Sequence, residues 1–174
     1  MPIIPQPTSE QARLQILYML DRLAIEIETD QFWCAFMEMD LLPYVDFMSY
    51  LDELSRNGMI AKNDFKTASY YSITRKGQGI LAEFRQELGN SVCRKIDDYC
   101  AAHKKQIMAE QELVGNFRRV AHMQYEVCLR MLDRHDTVFE MHLVLQSRNA
   151  AVQAIRRWRE NAFDIYGYVF DHLR

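Results

Sequence analysis

The sequence predicts an α+β protein, and three observations carry this prediction. Apolar residues recur every three or four positions through the first half of the chain, as on helices with one buried face. Residues 122–146 instead alternate apolar and polar side chains, which is typical of strands with one buried face. A last apolar stripe with helical spacing follows, from Ile155 to Val169. We therefore expect a first domain over 1–89, a linker helix over 90–112 and a second domain over 113–174.

Composition limits the class of protein. Of the 174 residues, 49% are hydrophobic and 26% are charged, which suits a soluble chain with a buried core. No apolar run approaches the roughly 18 residues that span a bilayer, and the start lacks the features of a signal peptide. The four cysteines have no disulfide-framework spacing. We expect a cytoplasmic protein with no membrane partner.

Residues 8–58 carry the start and stop signals of three helices. Thr8 and Gln11 have the spacing of a capping box, in which each side chain accepts a hydrogen bond from the other's backbone N–H. Pro43 is typical of a first helical turn, and Gly58 supplies a left-handed stop. The apolar faces of the three helices are Ile16, Leu20 and Leu23, then Phe32, Phe36 and Met37 after a cap at Thr29 or Asp30, then Phe47, Tyr50, Leu51 and Leu54.

The pattern changes to strands after the third helix. Residues 59–61 predict a short strand, 62–68 a polar turn and 70–73 a second strand. Thr74 then caps a helix over 75–88. Three helices, a hairpin and a closing helix form a winged helix-turn-helix, in which the hairpin is the wing. The third helix is the one that helix-turn-helix proteins place in the major groove of DNA.

These residues resemble an uncharacterised bacterial winged-helix family, which is itself similar to PadR-like and MarR-like regulators. The Ile-Thr-x-Lys-Gly stretch that leaves the wing is its most specific part. The resemblance implies a transcriptional regulator that binds double-stranded DNA, with no assigned target or ligand. The stretches that carry it are 14–20, 50–54, 58–60 and 70–77, with later similarity at Trp158 and Ile165–Tyr166.

Residues 90–111 predict a connecting helix that Gly115-Asn116 interrupts. One side of this helix is a candidate dimer contact, formed by Ile96, Tyr99, Cys100, His103 and Ile107.

The alternating segment predicts a β-hairpin covered by a long helix that Ser147 caps. The apolar residues of both strands are odd-numbered, so paired positions must sum to an even number, which excludes a two-residue loop. A sum of 270 pairs Leu129 with Met141 and sets Arg130 opposite Glu140. Two strands and one helix are a thin fold alone, so we expect this ββα domain to dimerise or to sense a ligand.

The candidate DNA contacts lie on the third helix, the wing and the closing helix. Tyr44 and Ser49 are placed to approach base edges. The side chains expected on phosphates are Lys62, Lys66, Arg75 and Lys76.

Charge leaves an alternative open. Residues 1–89 hold 8 basic and 13 acidic residues, whereas 90–174 hold 13 and 11, and a DNA-binding half is usually the basic one. The third helix itself contains Asp46, Asp52 and Glu53 against Arg56. The first domain is therefore either a DNA-binding module or a winged helix kept as a protein-interaction module without DNA binding.

The sequence gives little support for a metal or cofactor site. Cys100 and His103 lie one helical turn apart, but no second pair completes a metal site. His122 and His142 are expected on the polar strand face without being partners. We expect no bound metal and no cofactor.

Catalysis is not expected either. No nucleophile, base and orienting group converge locally. Gly77 and Gly79 lack the surroundings of a phosphate loop, and Asp97-Asp98 is read as a solvated helix surface. We expect that the protein is not an enzyme.

Overall fold

The structure is a computed structural model that describes residues 6–65 and 68–174. Its contacts divide the chain into two compact units, which meet between Lys104 and Lys105 in sequence. The α+β class is confirmed, because the described residues form six α-helices and two three-stranded antiparallel sheets. Among these helices, none is both long enough and apolar enough to cross a membrane.

The first unit contains the following elements: α1 (Ser9–Leu23), β1 (Ile27–Glu28), α2 (Thr29–Glu38), α3 (Tyr44–Arg56), β2 (Ile60–Phe65), β3 (Ala68–Ile73), α4 (Arg75–Phe84) and the start of α5 (Asn90–Glu112). The second unit contains the end of α5, then β4 (Leu113–Ala121), β5 (Gln124–Asp133), β6 (Asp136–Leu145) and α6 (Arg148–Leu173).

Helix α1 is the centre of the first unit. The predicted capping box is present, with the Gln11 N–H 3.2 Å from Thr8 Oγ1 and the Thr8 N–H 3.1 Å from Gln11 Oε1. Residues from Leu14 to Leu20 are all buried, although only one face was expected to be. Helices α3 and α4 and strand β3 pack around α1, which explains why its other faces are covered as well.

The other helix ends follow the sequence signals with small shifts. Gly58 has a φ of +70°, as its left-handed stop requires, and Pro43 is the N-cap of α3 rather than its first residue. Helix α2 begins at Thr29 with no side-chain cap. Glu28 occupies the N-cap position, so Thr29 is the first helical residue and not the predicted cap, and its hydroxyl donates to the Ser69 carbonyl at 3.0 Å. Helix α4 ends at Phe84, and a short 3₁₀ turn follows where the helix was expected to continue.

The first sheet has the order β1-β3-β2. The predicted polar turn over 62–68 is wrong in extent, because Lys62 pairs with Tyr71 and Asp64 with Ser69 inside the hairpin. Most of β2 beyond Ala61 is exposed, so its side chains show no apolar alternation from which a strand could be recognised. Strand β1, only two residues long, was not predicted.

The second sheet has a strand that the sequence did not predict. Its order is β4-β5-β6, and Gly115-Asn116 lies inside β4 instead of in a loop. A Cβ atom at position 115 would lie 2.7 Å from the Ile155 side chain of α6. Position 115 of β4 therefore has room only for a glycine, because Ile155, 40 residues later in the chain, packs closely against it.

The predicted register between β5 and β6 is confirmed, but the excluded loop is present. Leu129 pairs with Met141 and Arg130 with Glu140. Arg134 and His135 nevertheless form a two-residue loop, with φ values of +47° and +76°. A register shift after Met131 changes the sum of paired positions from 270 to 269. The predicted pairs and a two-residue loop are therefore both present.

Helix α6 closes the second unit over one face of the sheet. Ser147 caps it as predicted, accepting from the Ala150 N–H at 3.1 Å. Trp158 is 1% exposed, stacks on Phe139 with ring centroids 5.9 Å apart, and donates from Nε1 to the Arg130 carbonyl at 3.2 Å. The odd-numbered strand residues and this helix form the core, which includes Leu113, Val127, Leu129, Met131, Ala151, Trp158 and Ala162.

Candidate nucleic-acid interface

Helix α3 buries one face and exposes the other. Phe47, Leu51 and Leu54 are at most 1% exposed, and Phe47 packs against the rings of α2. The opposite side carries exposed residues at the spacing of successive helical turns, namely Val45, Ser49 and Asp52. One of the two predicted base-reading residues, Ser49, therefore lies on the solvent side of α3.

The other predicted base-reading residue, Tyr44, is the first residue of α3. Its ring meets that of Trp33 edge to face, with centroids 5.1 Å apart, and remains 54% exposed. Trp33 also packs on Phe47, so the Tyr44 ring rests on a side chain that is itself held between α2 and α3. Tyr44 is thus positioned by packing while about half of its surface stays exposed.

The acidic residues of α3 are largely compensated. Asp52 is 2.8 Å from Arg56 one turn later, and Glu53 is 2.8 Å from Arg13 of α1. Among the described residues, only Asp46 of these three acids has no ion-pair partner. The count of acidic residues therefore overstates the repulsion that a phosphate would meet at this helix.

Lys62, one of the predicted phosphate contacts, lies on the exposed part of β2. Its Nζ is 3.5 Å from Asp64 Oδ1, and that carboxylate also accepts a 2.5 Å hydrogen bond from the Ser69 hydroxyl. The Ser69 hydrogen bond first, and Lys62 after it, lower the pKa of Asp64, so the carboxylate beside Lys62 is charged. The fourth predicted phosphate contact, Lys66, lies outside the described residues.

Arg75 and Lys76 begin α4 and differ in their surroundings. Arg75 is exposed, and the described residues give its guanidinium no hydrogen bond or ion pair. Lys76 is also exposed, but its Nζ donates to the Asn57 carbonyl at 2.8 Å. Because Asn57 is the C-cap of α3, this ammonium lies at the negative end of that helix.

The segment that follows the β2–β3 hairpin contacts the residues between α3 and β2. The Thr74 hydroxyl accepts from the Gly77 N–H at 3.1 Å and lies 2.7 Å from the Gly58 carbonyl oxygen and 2.9 Å from that of Met59. A Cβ atom at Gly77 would be 2.1 Å from the Met59 carbonyl oxygen. These contacts explain the threonine, the lysine and the glycine of the Ile-Thr-x-Lys-Gly stretch. Arg75 takes part in none of them.

Most of the helix side that was a candidate dimer contact is buried within the chain. Ile96 is fully buried, and Cys100 and Ile107 are each 5% exposed within the chain itself. Burial raises the pKa of the Cys100 thiol to about 11. His103 lies stacked on Tyr99, with ring centroids 4.1 Å apart. Cys100 and His103 belong to no group of three or more candidate ligands among the described residues.

Asp97 is not the solvated residue that the sequence predicted. Its Oδ1 accepts from the Tyr18 hydroxyl at 2.9 Å and lies 2.7 Å from Arg22 Nε. The Arg85 guanidinium donates to the same Tyr18 hydroxyl at 3.1 Å. Desolvation, followed by the hydrogen bond to Asp97, raises the pKa of Tyr18. This network fixes the start of α5 to α1, whereas the neighbouring Asp98 is exposed.

The family described as Domain of unknown function (DUF4364) matches residues 12–173, and the chain belongs to this family. No curated protein and no solved structure matches the chain.

Proposed function

We propose that this member of the DUF4364 family is a dimeric transcriptional regulator whose first unit is a winged helix-turn-helix that binds double-stranded DNA. The observation that carries the proposal is the order of the first unit. A helix, a short strand, two helices and a hairpin follow each other, and the short strand pairs with the second strand of the hairpin. Helix α3 ends the helix pair with one side open to solvent, which suits insertion into a major groove.

Two side chains of α3 are assigned to the groove. The Ser49 hydroxyl can donate to or accept from a base edge, and Tyr44 offers a hydroxyl at the start of the helix. Their exposure supports this role, and the packing of Tyr44 on Trp33 limits the conformational freedom that binding would remove.

The phosphate contacts are assigned to the residues that flank α3. Arg75 is the strongest candidate, because its guanidinium is exposed and has no partner among the described residues. Lys62 is assigned as a further contact that exchanges its Asp64 partner for a phosphate, and Lys66, which lies outside the described residues, is assigned from the sequence alone. An ammonium has three donors, so the bond from Lys76 to Asn57 leaves two for a phosphate.

The homodimer is proposed from the exposed side of α6. Three large apolar side chains in the second half of this helix are between 46% and 83% exposed, which is unusual for a surface with no partner. They are Phe163, Phe170 and Leu173, and their spacing of seven and three residues places them on one side of the helix. A dimer would present two copies of α3, as symmetric operators require.

A second candidate function is a protein-interaction module without DNA binding. It is favoured by apolar exposure on α2 and α3, where Met37 is 55% and Val45 is 76% exposed. Asp46 lies beside Val45 and has no ion-pair partner among the described residues. An apolar surface with an uncompensated acid suits a basic, partly apolar protein partner better than DNA.

The two candidates are separated by a salt-dependent titration of the purified protein against fragmented DNA from its own genome. We expect selective binding that weakens steeply as salt rises, because phosphate contacts release counterions. The double variant Lys62→Glu, Arg75→Glu should bind all sequences at least about tenfold more weakly and lower the salt slope by about 2.

The control is Arg94→Glu, which reverses one charge, as each of the two substitutions does, at an exposed residue of α5 outside this surface. It should bind DNA like the wild type. Equal loss in both variants, or none in the double variant, would refute the phosphate assignment. A wild-type protein that binds no DNA from low to physiological salt would contradict the proposal and favour the second candidate.

A further inference from the structure

The second sheet has an outer face that α6 does not cover. Odd-numbered residues of its strands point to α6, so even-numbered residues point away from it. On this outer face Cys128 of β5 lies directly opposite His142 of β6, and Glu140 is the next residue of β6 on the same side. Three different types of metal-ligating side chain are therefore neighbours on two paired strands.

The ligand atoms of these residues converge. One atom each from Cys128, Glu140 and His142 lie within 4.8 Å of one another. His142 Nε2 is 2.7 Å from Glu140 Oε1, and His142 Nδ1 is 3.7 Å from Oε1 of Glu126. The other oxygen of Glu126 accepts from Arg118 Nε at 2.6 Å, which fixes this carboxylate beside the imidazole.

The chemistry of the set selects the kind of ion. A thiolate, an imidazole nitrogen and a carboxylate oxygen are the ligands of Zn²⁺, at about 2.0–2.3 Å from the metal. Tetrahedral ligands at such lengths lie about 3.5 Å apart. The ligand atoms, now within 4.8 Å of one another, would come closer through side-chain rotation when an ion binds.

We propose that Cys128, Glu140 and His142 form a Zn²⁺ site on the outer face of the second sheet. His142 ligates through Nε2, and its Nδ1 faces Glu126 Oε1 at 3.7 Å, so that a small rotation of the ring forms the hydrogen bond that carboxylates make behind metal-bound histidines. The thiol proton of Cys128 is released to solvent when the ion binds. The fourth position faces solvent and holds water.

The same geometry has a metal-free explanation, in which His142 is simply held between two carboxylates. That explanation gives Cys128 no role, whereas its position directly opposite His142 is what completes a ligand set. The experiment therefore tests the role of Cys128 first.

The experiment is a calorimetric titration of the full, reduced and chelator-treated chain with ZnCl₂, followed by Co²⁺ substitution. We expect one Zn²⁺ per chain and a thiolate-to-cobalt absorption band. Cys128→Ser should abolish the band and weaken Zn²⁺ binding more than a hundredfold. Glu126→Gln should weaken it about tenfold, as expected for a residue that only orients a ligand.

Cys34→Ser is the matched control, since Cys34 is an exposed cysteine of α2 outside the group. It should leave both the binding and the cobalt band unchanged. Glu140→Gln provides a second ligand variant if Cys128→Ser does not fold, as judged by circular dichroism. No Zn²⁺ binding, unchanged binding in Cys128→Ser, or one ion per two chains would each overturn the site. DNA binding enters none of these measurements.

Discussion

Replacing Gly77 with alanine is expected to destabilise the first unit by about 3 kcal/mol. The added Cβ would lie 2.1 Å from the Met59 carbonyl oxygen and 3.0 Å from the Ile73 side chain. The first of these is backbone, so the strain cannot be relieved by turning a flexible side chain. Helix α4 must move, which breaks the contacts of Thr74 with the carbonyl oxygens of Gly58 and Met59.

The matched control lies in the same helix. A Cβ at Gly79 meets nothing within 4 Å, so Gly79→Ala is expected to stabilise the unit by roughly 0.5–1 kcal/mol through helix propensity. Urea unfolding, with hydrogen exchange of the α1 amides to identify the first unit, measures both changes. A Gly77→Ala protein as stable as Gly79→Ala would show that the close approach to Met59 does not constrain this position.

This pair of variants bears on what the Ile-Thr-x-Lys-Gly stretch signifies. Thr74 caps α4 and Lys76 contacts the end of α3, while Gly77 permits their close approach. These three roles maintain the position of α3 relative to α4 and β2. The stretch is thus explained by the fold, and the DNA binding that we propose depends on residues outside these contacts, Arg75 above all.

The helices of the fold could be predicted because their signals are local. Thr8, Thr74 and Ser147 cap helices as their spacing to the following residues indicates, and Gly58 ends α3 with positive φ. Each signal involves residues within four positions of each other, so no knowledge of tertiary packing is required.

The missed features have tertiary causes. Strand β4 contains Gly115-Asn116, which are poor strand formers, and only the position of Ile155 on α6 explains the glycine. The parity argument for the hairpin between β5 and β6 assumed an uninterrupted ladder. A single register shift beyond Met131 invalidated the predicted loop without changing the predicted pairs.

The features of the candidate sites also separate into those that a local pattern predicts and those that depend on tertiary structure. Exposure of Tyr44 and Ser49 follows from the periodicity of one helix, and it could be predicted. The hydrogen bond from Lys76 to Asn57 could not, because it joins the ends of two helices across the wing. The predicted register already set Cys128 opposite His142, since their numbers sum to 270, but no spacing along one strand marks the group as a candidate site, and it was missed.

The second unit depends most on Trp158, and Trp158→Ala is expected to cost it about 3–5 kcal/mol. This side chain is 1% exposed. It stacks on Phe139 of β6 and donates to the Arg130 carbonyl of β5, the central strand of the sheet. A sheet of three strands covered by one helix has a small core, and the loss of its largest side chain leaves a cavity that few neighbours can fill.

Tyr168→Ala is the matched control on the same helix, where the ring is 67% exposed and little burial is lost. Native-state hydrogen exchange of the β5 amides measures the difference, because exchange resolves each unit by its own residues. We expect protection in β5 to fall about a hundredfold or more in Trp158→Ala and to stay near the wild-type value in Tyr168→Ala.

Trp158→Phe gives an intermediate case, since it keeps one buried ring but removes the volume of the other and the hydrogen bond, which is worth about 1 kcal/mol. Equal protection in Trp158→Ala and Tyr168→Ala would mean that α6 does not support the sheet, and the strands would then need another surface to cover their odd-numbered face.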